Sequence, residues 1–277
     1  DVLGSRGLGD VYKRQTQRKG GFCRGDDMKV AFCTLGCKVN QYESQSMEQA
    51  LIKRGFECVE ASEEADVYIV NSCTVTAESD RKTRQNVRHL RKLHPDAVLV
   101  LTGCMPQAFP EDARLLTQAD IVTGNRSNKQ IPDMIDEFFR TRERIVRIAQ
   151  HENGEKFSGE LINDFRERTR ATVKIEDGCN RFCSYCVIPY ARGRVRSKPL
   201  EDIREEISSL EKKGFSEIVL VGINLSAYGT DCGASICDAV ELAASFDGIK
   251  RVRLGSLEPD HMTPDLSLIH ISEPTRP

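Results

Sequence analysis

Three cysteines stand close together in the second half of the chain, at Cys179, Cys183 and Cys186, in the spacing C-x3-C-x2-C. Three thiolates on one loop can hold three irons of a [4Fe–4S] cluster and leave the fourth iron open to another ligand. Zinc would need a fourth protein ligand or a catalytic water, and this segment contains no histidine. The spacing therefore favours an iron–sulfur cluster, with a zinc site or ordinary buried thiols as the alternatives.

A second set of cysteines is dispersed in the first half of the chain. Cys37, Cys73 and Cys104 each follow a short apolar run that is typical of a β-strand. The ends of parallel strands meet at one edge of a sheet, where α/β domains bind ligands. We therefore expect these three thiols to converge on a second cluster site, the alternative being three separately buried cysteines.

Short apolar runs alternate with amphipathic stretches from Met28 onward, which predicts βαβ units and an α/β fold. The first series predicts a Rossmann-like parallel sheet. The second series predicts a (β/α) barrel, of which about three units fit before the sequence stops. Strands are predicted at 29–32, 56–59, 67–71, 98–102, 120–122, 172–175, 217–221 and 250–254. Helices are predicted at 42–54, 79–94, 130–140, 200–213 and 235–246.

Composition shifts along the chain predict its domain boundaries. Residues 28–144 form the N-terminal domain with the dispersed cysteines, and residues 169–266 form the partial barrel. Between them, the charged and irregular segment 145–168 is predicted to be a linker. Residues 1–27 and 267–277 match neither pattern, so we expect a non-native or disordered leader and a non-native tail.

The overall composition narrows the class of protein. The formal net charge is −2, so contacts with nucleic acid must come from local basic patches. No apolar run approaches the roughly 18 residues of a membrane span, which excludes an integral membrane protein. Eleven cysteines without a secretory signal indicate reduced thiols in the cytoplasm, serving as metal ligands or redox groups.

The cysteine triplet resembles that of the radical S-adenosylmethionine (SAM) superfamily, and further motifs narrow the resemblance. Cys37 lies in a Gly-Cys-x-x-Asn motif, Cys73 in Asn-x-Cys and Cys104 in Gly-Cys-x-x-Gln. With the segments 188–197, 221–224 and 256–259, these motifs resemble the radical SAM methylthiotransferases from Met28 to about Pro264. The family continues into further barrel strands and a C-terminal tRNA-binding domain, so the resemblance implies a C-terminally truncated chain.

The resemblance implies two [4Fe–4S] clusters and SAM as cofactors. One cluster would be held by Cys179, Cys183 and Cys186 and would bind SAM at its open iron. The other would be held by Cys37, Cys73 and Cys104 and would carry the sulfur that is transferred. Tyr185 takes the place of an aromatic residue that lies against the adenine of SAM, with ordinary loop packing as the alternative. Further SAM contacts are implied at Gly222, Asn224 and Glu258, and no acid or base catalyst is assigned.

The segment Gly-Cys-Lys-Val-Asn-Gln-Tyr-Glu-Ser at 36–44 resembles one branch of the family. That branch adds a methylthio group to C2 of N6-threonylcarbamoyladenosine at tRNA position 37. The alternatives are the sibling enzymes for isopentenyladenosine or a ribosomal protein. Outside this class of enzyme, the chain could be an iron–sulfur electron carrier, or an RNA-binding module whose cysteines hold iron–sulfur or zinc.

Basic residues gather in two places. One set lies on a predicted helix, where a solvated charged face is the alternative to RNA contact: Arg81, Lys82, Arg84, Arg88, Arg91 and Lys92. The other surrounds the triplet: Arg166, Arg168, Arg170, Lys174, Arg181, Arg192, Arg194, Arg196 and Lys198. The excess of positive charge around the triplet predicts contact with an RNA backbone or with the SAM carboxylate.

The partners implied are tRNA and an electron donor such as flavodoxin or ferredoxin, with no DNA and no membrane. Four cysteines belong to neither ligand set and are predicted to be dispensable: Cys23, Cys58, Cys232 and Cys237. Cys33 is the open case, because it lies one helical turn from Cys37.

Overall fold

Six parallel strands form the first sheet of the computed structural model, which describes residues 28–159, 162, 170–258, 264 and 266. Their spatial order is β2-β1-β3-β4-β5-β6, and every neighbouring pair is parallel. The strands are β1 (Lys29–Thr34), β2 (Glu57–Val59), β3 (Val67–Ser72), β4 (Val98–Gly103), β5 (Ile121–Thr123) and β6 (Ile145–Arg147). The chain order reverses between β1 and β3, and such a switch point opens a crevice at the carboxyl ends of the strands.

Both faces of this sheet are covered, as the continuous apolar strands require. Along β3, Val67 and Ile69 face one core cluster, whereas Tyr68 and Val70 face the other. Helices α1 (Lys38–Ile52) and α5 (Ile131–Thr141) contribute to the first cluster, and α2 (Ala77–Leu93) contributes to the second. Two short helices, α3 (Cys104–Ala108) and α4 (Pro110–Arg114), follow β4.

A second parallel sheet of three strands has the order β11-β10-β7. It consists of β7 (Ala171–Lys174), β10 (Glu217–Val221) and β11 (Arg251–Leu254), with helices α7 (Leu200–Lys212) and α8 (Ile236–Ala244) packed against it. The short helix α6 (Ile188–Arg192) lies between β8 (Glu176–Asp177) and β9 (Arg196–Ser197), which form an antiparallel pair. No described helix is long and apolar enough to cross a membrane.

Helix α1 joins the two sheets. Its Val39 packs against Val219 and Val221 of β10. One turn further along, the hydroxyl of Tyr42 donates to Oε1 of Glu206 on α7 at 3.1 Å. Helix α1 begins at the carboxyl ends of the strands of the first sheet, and it therefore also packs against the second sheet.

The α/β fold class predicted from the sequence is confirmed, and each predicted strand and helix overlaps an observed one. The segment predicted as an irregular linker differs at its start, where Ile145–Arg147 pairs with β5 as the sixth strand. Its main-chain groups complete the sheet edge, although the run is too short to show a periodicity. The leader at 1–27, the tail at 267–277 and the linker residues 160–161 and 163–169 lie outside the described residues. The domain boundaries remain predictions.

Candidate active site

The dispersed cysteines all lie at the carboxyl ends of three neighbouring strands. Cys37 precedes the first turn of α1 after β1, Cys73 directly follows β3, and Cys104 begins α3 after β4. Strands β1, β3 and β4 are adjacent in the sheet, so the three thiols border the crevice at the switch point.

Asn40 lies among these thiols and fixes the loops that carry them. The thiols of Cys37 and Cys104 donate to its Oδ1 at 3.7 and 4.0 Å. Its Nδ2 donates to the carbonyls of Leu35 at 2.9 Å and Ser72 at 2.8 Å, which ties the loop after β1 to the end of β3. Within the described residues, no three His, Cys, Asp or Glu side chains are already spaced to hold a metal ion.

Gly36 allows the loop before Cys37 to lie against Cys73. Its φ is +106°, and a Cβ at this position would lie 2.7 Å from Cβ and 3.0 Å from Sγ of Cys73. A side chain would therefore fill the space beside the thiol, which glycine leaves open.

Cys104 is buried, and a guanidinium lies beside it. Nε of Arg192 donates to its Sγ at 3.2 Å. Burial raises the pKa of the Cys104 thiol to about 12, although the positive charge of Arg192 acts in the opposite direction. A thiolate at this position needs nearby positive charge, which Arg192 supplies in part.

Arg192 also belongs to a buried charge network that crosses between the two sheets. Its guanidinium makes a bidentate hydrogen bond to the carboxylate of Glu43 on α1 and donates to Oδ1 of Asn40 at 2.6 Å. Lys174 of β7 reaches Glu43 at 2.9 Å and Asp177 at 2.7 Å. Burial alone would raise the pKa of Glu43, but the charges of Arg192 and Lys174 outweigh it and hold that pKa below its usual value.

The loop with the cysteine triplet follows β8 and is held by the segment after α6. The amide of Cys179 donates to the carbonyl of Gly193 at 3.1 Å, and the amide of Val195 donates to Oδ1 of Asn180 at 3.2 Å. Gly178, with φ +88°, brings the two segments together, since a Cβ there would lie 2.0 Å from the carbonyl oxygen of Arg194.

Glu176, Gly222 and Asn224 lie together beside this loop. The amide of Asn224 donates to Oε2 of Glu176 at 2.8 Å, and Nδ2 of Asn224 lies 3.8 Å from Sγ of Cys179. A Cβ at Gly222 would lie 2.5 Å from the Glu176 carboxylate. Two buried side-chain oxygens here, Glu176 Oε1 and Asn224 Oδ1, have no hydrogen-bond partner among the described residues. Burial, followed by the charge of Asp177, raises the pKa of Glu176 to about 8.

The remaining residues predicted to contact SAM are Tyr185 and Glu258. Tyr185 is 91% exposed on the cysteine loop. Glu258 follows β11, and its amide donates to Oγ of Ser226, which lies shortly after β10. The structure thus places Gly222, Asn224 and Glu258 at the carboxyl ends of neighbouring strands, while their contact with SAM remains a prediction.

Four of the nine basic residues predicted to surround the triplet are engaged in buried ion pairs, which corrects for these four the expectation of contact with RNA or the SAM carboxylate. Buried ion pairs with acidic side chains hold Lys174, Arg192, Arg196 and Lys198. Arg166 and Arg168 lie outside the described residues. The sequence could not show these pairings, because Glu43 lies far from Lys174 and Arg192 along the chain.

On helix α2, most of the basic residues are also paired. Arg81 and Lys82 contact Glu78, Arg84 contacts Asp112, and Arg91 contacts Asp120. Arg88 and Lys92 are exposed. The helix is therefore closer to a solvated charged face than to a continuous cationic stripe.

The other cysteines that the structure describes have different surroundings. Cys33 accepts a hydrogen bond from Nδ2 of Asn86 at 3.3 Å, and burial raises the pKa of its thiol. It packs with the core cluster on the α2 face of the first sheet, as a residue inside β1. Cys58 and Cys237 pack against other cores and Cys232 is exposed, while Cys23 lies outside the described residues.

Several residues of the site had no role predicted from the sequence: Asn40, Glu43, Asp177 and Glu176. Each stands in or close to a cysteine motif, and each is buried although polar. Proximity to a motif was the available signal, but the contacts that give these residues a role come from distant segments.

In comparisons with known proteins, the chain matches two family models, one after the other along the sequence. The first, described as "Uncharacterized protein family UPF0004", covers residues 29–124, and the second, the radical SAM superfamily, covers residues 173–261. Together they include all six predicted cluster cysteines.

Curated relatives match most of this chain. The threonylcarbamoyladenosine tRNA methylthiotransferase MtaB of Aquifex aeolicus is 38% identical, with 89% of this chain and 60% of that protein covered. The protein of the same name from Thermotoga maritima is 39% identical, covering 84% and 52%. The tRNA-2-methylthio-N(6)-dimethylallyladenosine synthase of Thermotoga petrophila is 35% identical, covering 81% and 51%. The chain thus spans between half and three fifths of the length of these relatives.

Proposed function

Since the chain belongs to the radical SAM methylthiotransferase family, we propose that the protein adds a methylthio group to C2 of N6-threonylcarbamoyladenosine at position 37 of tRNA. The relatives named for this reaction are 36–39% identical, against 34–35% for those named for dimethylallyladenosine. This difference is small, so the sibling substrate is the second candidate.

The observation that carries the proposal is the juxtaposition of two cysteine sets. Cys37, Cys73 and Cys104 border one crevice, and Arg192 extends to it from the segment that holds the triplet loop. A reaction that needs one centre for radical formation and another for sulfur requires such neighbouring sites.

The residues present suit the cofactors of the family. Cys179, Cys183 and Cys186 would hold one [4Fe–4S] cluster, and the cysteines at the strand ends would hold the other, since thiolates are the usual cluster ligands. Among the described residues, Oδ1 of Asn224 has no hydrogen-bond partner and could accept a hydrogen bond from a bound molecule with N–H groups, such as the amino group of SAM.

When bound, a [4Fe–4S] cluster with SAM supplies radical chemistry, which an unactivated aromatic C–H bond requires because it offers no acidic proton to a base. The protein's own residues position and polarise the site. Arg192 keeps a positive charge at Sγ of Cys104, and Asn40 holds the loop of Cys37 against the end of β3. Gly222 leaves room for the carboxylate of Glu176 beside the triplet loop.

Complementation tests the substrate. A bacterial strain that lacks its own enzyme for this modification should regain 2-methylthio-N6-threonylcarbamoyladenosine when it expresses the gene that encodes this chain in its complete reading frame. The tRNA nucleosides are digested and identified by mass spectrometry. A gene with Cys179, Cys183 and Cys186 all changed to Ala is the matched control and should restore none.

Two outcomes would contradict the proposal. Methylthiolation of isopentenyladenosine alone would favour the sibling enzyme, and modification of no nucleoside would overturn the tRNA assignment. The same proposal places the protein in the cytoplasm and assigns it a flavodoxin or ferredoxin as electron donor.

A further inference from the structure

Three side chains beside the cysteine triplet form an exposed surface that the proposed chemistry does not use. Phe182 is 41% exposed and Tyr190 is 66% exposed. The rings meet edge to face, with centroids 6.1 Å apart, and the guanidinium of the exposed Arg194 lies 4.4 Å from the centroid of Phe182. We call Phe182, Tyr190 and Arg194 the aromatic platform.

The backbone holds this platform in place. Phe182 has φ +48°, a left-handed conformation that is costly for a bulky residue and persists only where the surroundings enforce it. Hydrogen bonds before and after Phe182 hold the loop. The amide of Cys179 donates to the carbonyl of Gly193, the amide of Val195 donates to Oδ1 of Asn180, and the amide of Cys186 donates to the carbonyl of Cys183. The platform is therefore a preorganised surface, and binding to it costs little ordering of side chains.

We infer that the aromatic platform stacks an unpaired base of the RNA substrate beside the triplet loop, an inference that rests on the proposed function. Exposed aromatic rings and arginine planes are the groups on which proteins stack single-stranded bases. A nucleoside that is modified on its ring must leave the helical stack, and its neighbours then lose a stacking partner. Rings at the rim of the site can replace that partner.

The test compares two RNA probes on the chain reconstituted with iron and sulfide: an anticodon stem-loop with 2-aminopurine in its loop, and a fully paired duplex of the same length. The double variant Phe182→Leu/Tyr190→Leu keeps apolar bulk but removes the π faces. We expect its Kd for the stem-loop to rise about five- to a hundred-fold, and its Kd for the duplex to stay unchanged. The 2-aminopurine fluorescence that the unchanged chain quenches should stay high.

Matched variants separate stacking from folding and charge. Tyr190→Phe keeps the ring and should bind as the unchanged chain does, and Phe109→Leu changes a ring of similar exposure, 40%, outside the loop. The dependence of log Kd on log salt should be the same for the double variant and the unchanged chain, because no phosphate contact is lost.

Three results would overturn the inference. Equal affinity of the double variant and the unchanged chain would show that the rings are not used, while the RNA assignment would stand. Equal weakening for both probes, or a reduced salt slope, would indicate a backbone contact. If the unchanged chain binds neither RNA, the inference fails, whereas the tRNA substrate of the proposed function is decided separately by the complementation experiment.

Discussion

Arg192 contacts Glu43 of α1 and Asp177 of β8, and none of its side chain is exposed. Its guanidinium is shared among Glu43, Asn40 and the sulfur of Cys104. Taking these charges out of water costs free energy, and the cost is offset only while every member has its partner. Arg192 therefore stabilises the folded chain mainly because its removal would leave the buried carboxylate of Glu43 without this partner.

Changing Arg192 to Met should therefore reduce the free energy of unfolding by about 3–5 kcal/mol, since the carboxylate of Glu43 loses its two-pronged partner inside the protein. Arg54→Met is the matched control. Arg54 also bridges two carboxylates, Asp133 and Asp136, but on the surface, so its loss should cost about 1 kcal/mol or less. Urea denaturation of the three proteins measures both losses, and similar values for the two variants would contradict this account.

Glu176 gives the folded protein a pH dependence. Its pKa rises from an ordinary 4.5 to about 8, first because it is buried and then because Asp177 lies nearby. Between these values the folded chain keeps a proton that the unfolded chain has released, so stability falls as pH rises through this window and levels off above about 8.

Glu176→Gln should remove this dependence, because the amide has no proton to lose. The variant's free energy of unfolding relative to the parent should grow between about pH 5 and pH 8, by at most about 1.4 kcal/mol per pH unit. Urea denaturation across this range measures it. Parallel curves for the two proteins would show that the carboxyl ionises normally.

At the scale of elements, the turn that carries the triplet loop depends on close packing at Gly178. Gly178 and Gly214 have nearly the same φ, +88° and +86°, but only Gly178 faces another segment. Gly214→Ala should cost about 1–2 kcal/mol from backbone strain alone. Gly178→Ala should cost clearly more, because its Cβ overlaps the carbonyl of Arg194. Thermal unfolding compares the two, and equal losses would contradict the packing of these segments.

The strand ends determine which cysteines can share a cluster. Reconstitution without oxygen should give two [4Fe–4S] clusters, about eight irons per chain. The triple change of Cys37, Cys73 and Cys104 to Ala should remove about half of this iron. The double change of Cys58 and Cys237 should remove none, as each packs against an apolar core. Iron and sulfide analysis decides, and full iron in the triple variant would disprove the convergence. Loss of a cluster in Cys33→Ala would show that Cys33 is a ligand.

The sequence predicted those parts of the fold that repeat a local pattern. Parallel strands follow from buried apolar runs such as 67–72 and 98–103, and the meeting of the strand ends follows from that topology. The pair β8–β9 was not predicted, because two-residue strands have no detectable period. The partners of Lys174 and Arg192 were not predicted either. The residue type of a charged side chain does not reveal whether it faces solvent or a buried carboxylate.

At the scale of the whole molecule, helix α1 packs against both parallel sheets. It starts at the crevice with the first cysteine set, packs Val39 on β10 and bonds Tyr42 to α7. Glu43 of the same helix receives Lys174 and Arg192. Apolar contact and buried charge therefore couple the two sheets along one helix, and this coupling keeps both cysteine sets in a fixed relation.

If α1 couples the sheets, they should unfold as one unit, although multidomain chains often do not. Amide hydrogen exchange should give the core of β4 and the core of β10 the same opening free energy and the same urea dependence. Val39→Asp places a charge against Val219 and Val221, so it should lower protection in β10 more than in β4. Val75→Asp, at a position that is 57% exposed, introduces the same charge without burying it and should leave the two strands equal. Independent opening of β4 and β10 in the unchanged chain would show that the sheets are separate folding units and that α1 only touches the second.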